Sequence, residues 1–329
     1  MAKYRGKQKT LEHIRIEGIA AEGKCIARVD EQVLFVEKVA PGDLVDVRIT
    51  RKKPSFMEGT PVKFHEYSKD RAEPFCKHFG TCGGCKWQHI PYDLQLKYKH
   101  QQVVDNLERI AKVELPEVSP ILGSAKTQFY RNKLEYTFTN WKWLTKEEID
   151  SGEEIDRRGL GFHIPGRFDK ILEIEKCYHQ PDPSNEIRLK IAQFAKENDI
   201  PFYDLVKKTG NLRNLIIRNA VTGQWMVIVQ FALEDEKNEL LLTYIKDEFP
   251  DISSLMYVVN GKANETFNDL KVKCFYGKDH IIEEMEGIQF KVGPKSFYQT
   301  NANQAYELYK IARDYAGLTG NEVVYDLYT

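Results

Sequence analysis

Three cysteines lie close together in the segment 76–85. Cys76, Cys82 and Cys85 follow the spacing C-x5-C-x2-C, and three glycines occur between them. Thiolates that bind one metal centre must converge on it, and glycine lets the backbone turn tightly enough for them to do so. The spacing therefore predicts a metal-binding loop.

A fourth ligand is needed, because three thiolates do not complete a four-coordinate shell. Cys177, at the end of the strand-like segment KILEIEKC, is the leading candidate. The competitors are His78, His89 and His179. A zinc site and a [4Fe–4S] cluster would use the same residues, so the spacing alone leaves both open.

A second segment of interest is SFYQTN, residues 296–301. It could be a polar N-cap for the helix that follows it, since asparagine and threonine are common at helix starts. The sequence ends on VVYDLYT, which resembles the first strand and turn of a nucleotide-binding α/β domain. We expect EVVYDLYT to be a buried strand, with Tyr328 either in the core or at a ligand site.

The elements that must position these residues can be predicted from apolar periodicity. Residues 11–64 alternate in short runs typical of strands and predict a small β-barrel. Strand-like segments also dominate 129–230, with a hairpin turn at 221–223, and we expect further strands over 253–292. Helices are predicted after Pro91, over 184–198 and 235–248, and in NQAYELYKIARDYAG, which ends near Gly317.

The length and composition limit the class of protein. A chain of 329 residues predicts two or three domains, and six cysteines without a secretory leader argue against a disulfide framework. No run approaches the roughly 20 apolar residues of a membrane span. MAKYRGKQKT lacks the apolar stretch of a signal peptide. A cytoplasmic protein without membrane contact is expected.

Charge is distributed unevenly along the chain. Residues 1–64 contain 13 lysines and arginines against 9 aspartates and glutamates, although the whole chain has a net charge of −1. A locally basic module suits contact with nucleic-acid phosphates, and it could equally be a solvated surface.

These segments in this order resemble the RNA uracil-5-methyltransferase family over essentially all 329 residues. The resemblance rests on FCKHFGTCGGCKWQHIPYDLQLKYKHQQV, FYRNKLEYTF, LEIEKC, LRNLIIR, FKVGPKSFYQTNANQAYELY and VVYDLYT. It implies a multidomain protein with a TRAM-like, RNA-binding β-barrel at 1–66. It also implies an α+β central domain with an iron–sulfur loop, at 67–90 and 114–285. Residues 91–113 and 286–329 would then begin an α/β, Rossmann-like methyltransferase domain that is expected to be incomplete.

The resemblance also implies roles for particular residues. Cys76, Cys82, Cys85 and Cys177 match the four ligands of a [4Fe–4S] cluster, whose role would be structural or RNA-contacting. The methyl donor, S-adenosylmethionine, would be held by two residues, Gln299 and Tyr328. Arg131 and Lys133 lie where the family's central domain faces RNA, and the alternative for them is a solubilising charge on an edge strand.

Methylation of uracil C5 requires a thiolate that adds at C6 and a base that removes the C5 proton. The resemblance places both residues after the DLY turn, so no catalytic residue is expected in this chain and the chain by itself is expected to be inactive. Cys274 is predicted to be a buried core thiol, and Cys25 is an equally poor nucleophile. The implied substrate is RNA, and 23S ribosomal RNA is the RNA expected.

Three other readings stay open at this point. The protein could act on transfer RNA, or it could be a non-catalytic iron–sulfur RNA-binding protein. A radical enzyme is a further rival, and the x5 gap between the first two cysteines argues against it.

Overall fold

The computed structural model describes residues 9–327, which form two compact units that divide after Gly123. The first unit is mostly strands, followed by an irregular segment and a helix. Its elements are β1 (Thr10–Arg15), β2 (Gly18–Ile19), β3 (Cys25–Val29), β4 (Gln32–Val36), β5 (Leu44–Lys52), β6 (Phe56–Glu66) and α1 (Tyr92–Asp105), which continues into one π-helical turn (Asn106–Ile110).

The six strands of the first unit form one coiled sheet in the order β1-β5-β6-β4-β3-β2. The pair β4–β6 is parallel and the others are antiparallel. Edge strands β1 and β2 both pack on the core that the inner strands share, so the sheet curls into a barrel. The buried members of this core are Ile16, Cys25, Ala27, Leu34, Val36, Val39, Val45, Val47 and Met57. This arrangement confirms the β-barrel that the sequence predicts for this part of the chain.

The second unit is a mixed sheet with helices and a hairpin. Its strands are β7 (Lys133–Thr139), β8 (Gly159–Ile164), β9 (Arg167–Glu173), β10 (Leu212–Asn219), β11 (Trp225–Phe231), β12 (Ser254–Val259), β13 (Lys273–Gly277), β14 (Ile281–Met285) and β15 (Ile288–Val292). Its helices are α2 (Lys146–Asp150), α3 (Ser184–Glu197), α4 (Glu236–Glu248) and α5 (Ala302–Ala316).

Seven of these strands form one sheet in the order β13-β12-β11-β10-β7-β8-β9. Nearly every residue of β10 and β11 is buried, which requires cover on both faces of the sheet. Hairpin β14–β15 packs on one face through Ile281 and Val292, against Ile216, Ile228 and Met256. The apolar sides of α3 and α4 are also buried, and the two helices contact each other through their stacked Phe194 and Tyr244 rings.

Most of the predicted elements are confirmed, including the hairpin at 221–223 and the helix that ends at Gly317, whose φ of +55° is the left-handed conformation of a helix C-terminus. The predicted buried strand EVVYDLYT is wrong as far as it is described, because 321–326 have no strand partner and Val323, Val324 and Tyr325 are exposed. A strand exists only where a neighbour accepts its hydrogen bonds, and no described residue does so here. Between residues 9 and 327, no helix has both the length and the apolar character of a membrane span.

Candidate functional site

The cysteine loop, residues 76–85, is a run of tight turns in the first unit. The Cys76 carbonyl oxygen accepts a hydrogen bond from the Phe79 amide at 3.0 Å, and the His78 carbonyl oxygen accepts one from the Cys82 amide at 2.9 Å. Gly80 adopts φ +86°, a conformation that other residues rarely reach. All three cysteines of the loop are half-buried, so they are neither enclosed in a hydrophobic core nor fully exposed to solvent.

One sulfur of the cysteine loop accepts a hydrogen bond from the backbone. The Gly84 amide donates to the Cys82 Sγ at 3.4 Å, which is the kind of contact that stabilises a sulfur carrying negative charge. Two lysines connect the cysteine loop to the barrel of the first unit. Lys38 Nζ donates to the Gly80 carbonyl oxygen at 2.6 Å, and Lys86 Nζ donates to the Glu22 carbonyl oxygen at 2.8 Å. This soft donor set on an ordered backbone fits a metal centre bound through sulfur.

His89, one of the competing ligands, joins the cysteine loop to the barrel. It is buried, its Nε2 lies 3.0 Å from the Val39 carbonyl oxygen, and its ring contacts that of Phe79 at 5.2 Å between centroids. Burial lowers the pKa of His89, because a charged imidazolium would lose its hydration there. These contacts give His89 a structural role.

Cys177 lies in the second unit, four residues after β9 ends, and is buried. Its backbone is fixed by Asn185, whose Oδ1 accepts from the Cys177 amide at 2.7 Å and whose Nδ2 donates to the Cys177 carbonyl oxygen at 3.2 Å. The buried Arg188 donates to the Glu175 carbonyl oxygen at 3.0 Å and holds the same segment. Cys177 therefore has a defined backbone position, and its grouping with the other three sulfurs stays a prediction.

Residues 293–301, here called the glutamine loop, carry Gln299 and are held by two side chains from the sheet. Arg218, in β10, donates to the Gly293 carbonyl oxygen at 2.8 Å and to the Ser296 carbonyl oxygen at 3.0 Å. Asn132, just before β7, donates through Nδ2 to the Gln299 carbonyl oxygen at 2.9 Å. The backbone amide of Asn132 donates to the Thr300 carbonyl oxygen at 2.8 Å. The backbone of Gln299 is thus fixed on both sides.

The side chains of the glutamine loop divide between core and solvent. Tyr298 packs on the core beneath β14–β15, whereas Phe297 is 80% exposed and Gln299 is also exposed. Asn301 caps α5, because its side chain accepts a hydrogen bond from the Gln304 amide at 3.1 Å. Asn301 therefore has the capping role that was one of the two interpretations of this segment. The amide group of Gln299 is presented to solvent, where a polar ligand can reach it. Tyr328 lies outside the described residues.

A buried carboxyl group lies behind the glutamine loop. Glu283, in β14, is 1% exposed, and its Oε2 accepts a hydrogen bond from the Val221 amide at 3.1 Å. Burial raises the pKa of Glu283, although Arg218 and the Asn132 side chain favour its ionised form. The loop therefore rests on a small polar network of Asn132, Arg218 and Glu283 inside an otherwise apolar region.

Sequence reasoning missed this network. The available signal was Arg218, a charge inside the apolar run LRNLIIRN, because a buried arginine must find several acceptors. Asn132 and Glu283 gave no comparable signal, since single polar residues are common at strand ends.

The two predicted RNA-contacting residues lie at the start of a central strand. The Arg131 amide donates to the His179 carbonyl oxygen at 2.8 Å. Lys133 is half-buried at the first position of β7, and burial lowers its pKa. The register pairs Lys133 with Arg218 of β10, whereas β8 pairs with β7 over Thr137–Thr139, so the alternative of an edge-strand charge stays open for Lys133. Their contact with RNA stays a prediction.

The two remaining cysteines differ from each other. Cys25 is buried in the barrel core, and burial raises the pKa of its thiol to about 12. The prediction that Cys274 is a buried core thiol is wrong, because Cys274 is exposed. It lies on β13, which is an edge strand of the seven-stranded sheet and is largely exposed. Burial also raises the pKa of the Cys274 thiol, so neither side chain is an activated thiolate.

Known proteins resemble the chain over nearly its whole length. A family model described as the TRAM domain matches residues 4–62. An uncharacterized RNA methyltransferase of Bacteroides thetaiotaomicron is 59% identical over 94% of this chain and 70% of its own length. A protein of the same description from Porphyromonas gingivalis is 50% identical over 96% of this chain and 70% of its own length.

One solved structure has the same fold. It is the Pyrococcus abyssi tRNA (uracil-54, C5)-methyltransferase in complex with S-adenosyl-L-homocysteine, which is 25% identical to this chain with a TM-score of 0.65. The match covers 92% of this chain and 64% of the other, so the chain spans less than two thirds of that structure.

Proposed function

Because the chain belongs to the RNA methyltransferase family, we propose that the protein transfers a methyl group from S-adenosylmethionine to C5 of a uridine in RNA. The observation that carries this proposal is the likeness to a uracil-C5 methyltransferase across 92% of the chain, in a structure with the demethylated donor bound. The TRAM match at 4–62 supports RNA as the substrate.

Gln299 and Tyr328 are the residues we assign to the methyl donor. S-adenosylmethionine supplies the methyl group as an electrophile. The exposed Gln299 amide can hydrogen-bond its polar groups, and Asn132 and Arg218 keep the backbone of the glutamine loop in place for that contact. A loop backbone held in this way loses little further entropy on binding.

Cys76, Cys82, Cys85 and Cys177 are the residues we assign to a [4Fe–4S] cluster. The half-buried sulfurs of the cysteine loop and the amide–sulfur hydrogen bond at Cys82 suit thiolate ligands of iron. With four protein thiolates no coordination position is open, so the cluster would order the chain or contact RNA and would not carry the methyl group.

The chemistry proposed for the uracil requires a thiolate. Uracil C5 is a weak nucleophile, and addition of a cysteine thiolate at C6 gives C5 the electron density to attack the methyl group; loss of the C5 proton then expels the thiolate. The high thiol pKa of Cys25 and of Cys274 makes both unsuitable, and we assign the nucleophile to neither.

We propose 23S ribosomal RNA as the substrate, contacted by the barrel and by Arg131 and Lys133. Transfer RNA is the second candidate, because the solved neighbour is an enzyme of transfer RNA. Both substrates would present a uridine that leaves its stack to reach the donor.

The experiment is methyl transfer by the protein that carries this chain, with labelled S-adenosylmethionine and unmodified 23S ribosomal RNA or transfer RNA, followed by nucleoside analysis. Label in 5-methyluridine from one RNA identifies the substrate. Label only in a different nucleoside, or no transfer to either RNA, would overturn the proposal.

A further inference from the structure

Two histidines and an aspartate meet on the barrel of the first unit, at a place with no role in the function proposed above. Asp46 lies on the middle strand β5, His13 on the neighbouring strand β1 and His65 on the other neighbour, β6. Their possible ligand atoms all lie within 4.8 Å of one another. Among the potential metal ligands of residues 9–327, this group brings two imidazoles and a carboxylate together.

Both histidines lie at irregularities of their strands. On β1, Leu11 pairs with Val47 and Ile14 with Val45, so β1 has one residue more than β5 between these pairs. On β6, Phe64 pairs with Val45 and Glu66 with Leu44, which leaves His65 as the extra residue. β-Bulges re-aim side chains, and these two turn an imidazole from each side toward one carboxylate.

The backbone at His13 is in a costly conformation. Its φ of +53° is the left-handed region, which a residue with a Cβ adopts only when the surroundings compensate. Here the His13 amide donates to Asp46 Oδ1 at 2.9 Å. The bulge on β1 is therefore locked onto the same carboxylate that the imidazoles approach.

The side chains are close together, with the two rings stacked and one of them in direct contact with the carboxylate. His65 Nε2 lies 2.7 Å from Asp46 Oδ1, and the two imidazole rings are stacked with centroids 4.1 Å apart and planes 19° from parallel. The Asp46 and His65 side chains are only 14% and 18% exposed, whereas His13 is exposed.

We propose that His13, Asp46 and His65 form a binding site for a divalent cation of the zinc and cobalt class. Imidazole nitrogen and carboxylate oxygen are the ligands such ions accept, and ligand atoms around a tetrahedral ion lie about 3.4 Å apart. To bind the ion, the His65–Asp46 contact would lengthen, and the exposed His13 ring would turn out of the stack to face the same ion. The ion would take the place of the direct contact between His65 Nε2 and Asp46 Oδ1. Three protein ligands leave one position to water, and the exposed side of His13 gives access to it.

The site differs chemically from the cysteine loop, and the test uses this difference. Co²⁺ bound to thiolates shows sulfur-to-metal charge-transfer absorption, whereas Co²⁺ bound to nitrogen and oxygen does not. We therefore expect Co²⁺ added to the protein to give ligand-field bands without added charge-transfer absorption. In equilibrium dialysis, the unmodified protein should bind one more Co²⁺ ion than His13→Gln or His65→Gln does. Each of these substitutions should lower the affinity for that ion at least about tenfold.

A matched control is His280→Gln, which removes an imidazole that contacts a single carboxylate, Asp279, at 2.6 Å. This variant should keep the ion. His13 is exposed, so His13→Gln tests the site even if His65→Gln fails to fold. Unchanged number and affinity of bound ions in His13→Gln, or thiolate charge transfer as the sole signal of added Co²⁺, would overturn the proposal.

Discussion

The sulfur of Cys82 accepts a hydrogen bond from the Gly84 amide, and its backbone is set by the His78 carbonyl oxygen. Both contacts are local to the loop, so they fix the backbone and one sulfur on its side of the proposed cluster. Pre-ordering reduces the cost of metal binding, since fewer bonds must be fixed when the ion arrives.

Replacing Cys82 or Cys85 by serine should remove the iron–sulfur absorption and most of the bound iron, because a hydroxyl group is a poor ligand of iron in such clusters. Iron and acid-labile sulfide analysis of anaerobically purified protein measures this. Cys274→Ser is the matched control and should keep the iron. Stoichiometric zinc with no labile sulfide would instead identify a zinc site.

Asn132→Ala should weaken binding of S-adenosylhomocysteine by about fivefold. It removes the hydrogen bond to the Gln299 carbonyl oxygen, and one such bond is worth about 1 kcal/mol. Calorimetric titration checks this, with the exposed Asn303→Ala as control. Equal affinity in the two variants would mean that the glutamine loop does not hold the donor.

At the scale of residues, the sequence predicts the features that depend on side-chain chemistry and on spacing along the chain. The cysteine loop could be found because three cysteines and three glycines stand together. Asn132, Arg218 and Glu283 could not, because their partners are carbonyl and amide groups, which every residue has. Burial of Cys274 was predicted wrongly because an apolar run does not tell which strand lies at the edge of a sheet.

Helix α5 follows the glutamine loop directly, and Asn301 belongs to both. Asn301→Ala should lower the free energy of unfolding of the second unit by about 1 kcal/mol, because the Gln304 amide loses its acceptor. Asn301→Asp should restore most of the loss, since a carboxylate accepts the same bond. Urea unfolding measures both, and equal losses would contradict the capping role.

The turn before β5 contains a buried ion pair. Asp43 accepts from Arg71 Nε at 3.0 Å and Nη2 at 2.8 Å, and from the Ser68 and Ala40 amides. Burial alone would raise the pKa of the Asp43 carboxyl, but these donors outweigh it and lower the pKa. A depressed folded-state pKa gives stability that is present above the usual aspartate range and is lost as pH falls through the lower value.

Asp43→Asn should therefore destabilise the barrel at neutral pH by about 1.5–3 kcal/mol, since it removes hydrogen bonds to a charged group. The substitution should also make the free energy of unfolding fall less steeply as the pH is lowered. Thermal unfolding followed from pH 3 to 7 checks both effects, with Glu12→Gln as an exposed control. An unchanged acid slope in Asp43→Asn would assign the acid sensitivity to other groups.

At the scale of elements, alternation of apolar residues predicted the barrel strands, and the hairpin around 221–223 followed from its turn residues. The segment 321–326 shows why such patterns have a limit. Val323 and Val324 have the composition of a buried strand, but strand formation depends on a partner elsewhere in the fold.

For the molecule as a whole, the basic N-terminal module and the seven-stranded unit have different tasks in the proposed function. The barrel would contact RNA, and the second unit would hold the methyl donor through the glutamine loop. Charge and motif order predicted this division. Which RNA is bound depends on the shape of a large surface, and short motifs do not encode it.

The most direct test of uridine methylation is mass mapping of ribosomal and transfer RNA from a strain that lacks the gene for this protein. We predict that one uridine of 23S ribosomal RNA loses its C5 methyl group and regains it when the gene is restored. Full 5-methyluridine at every position of both RNAs in the deletion strain would contradict the proposed function.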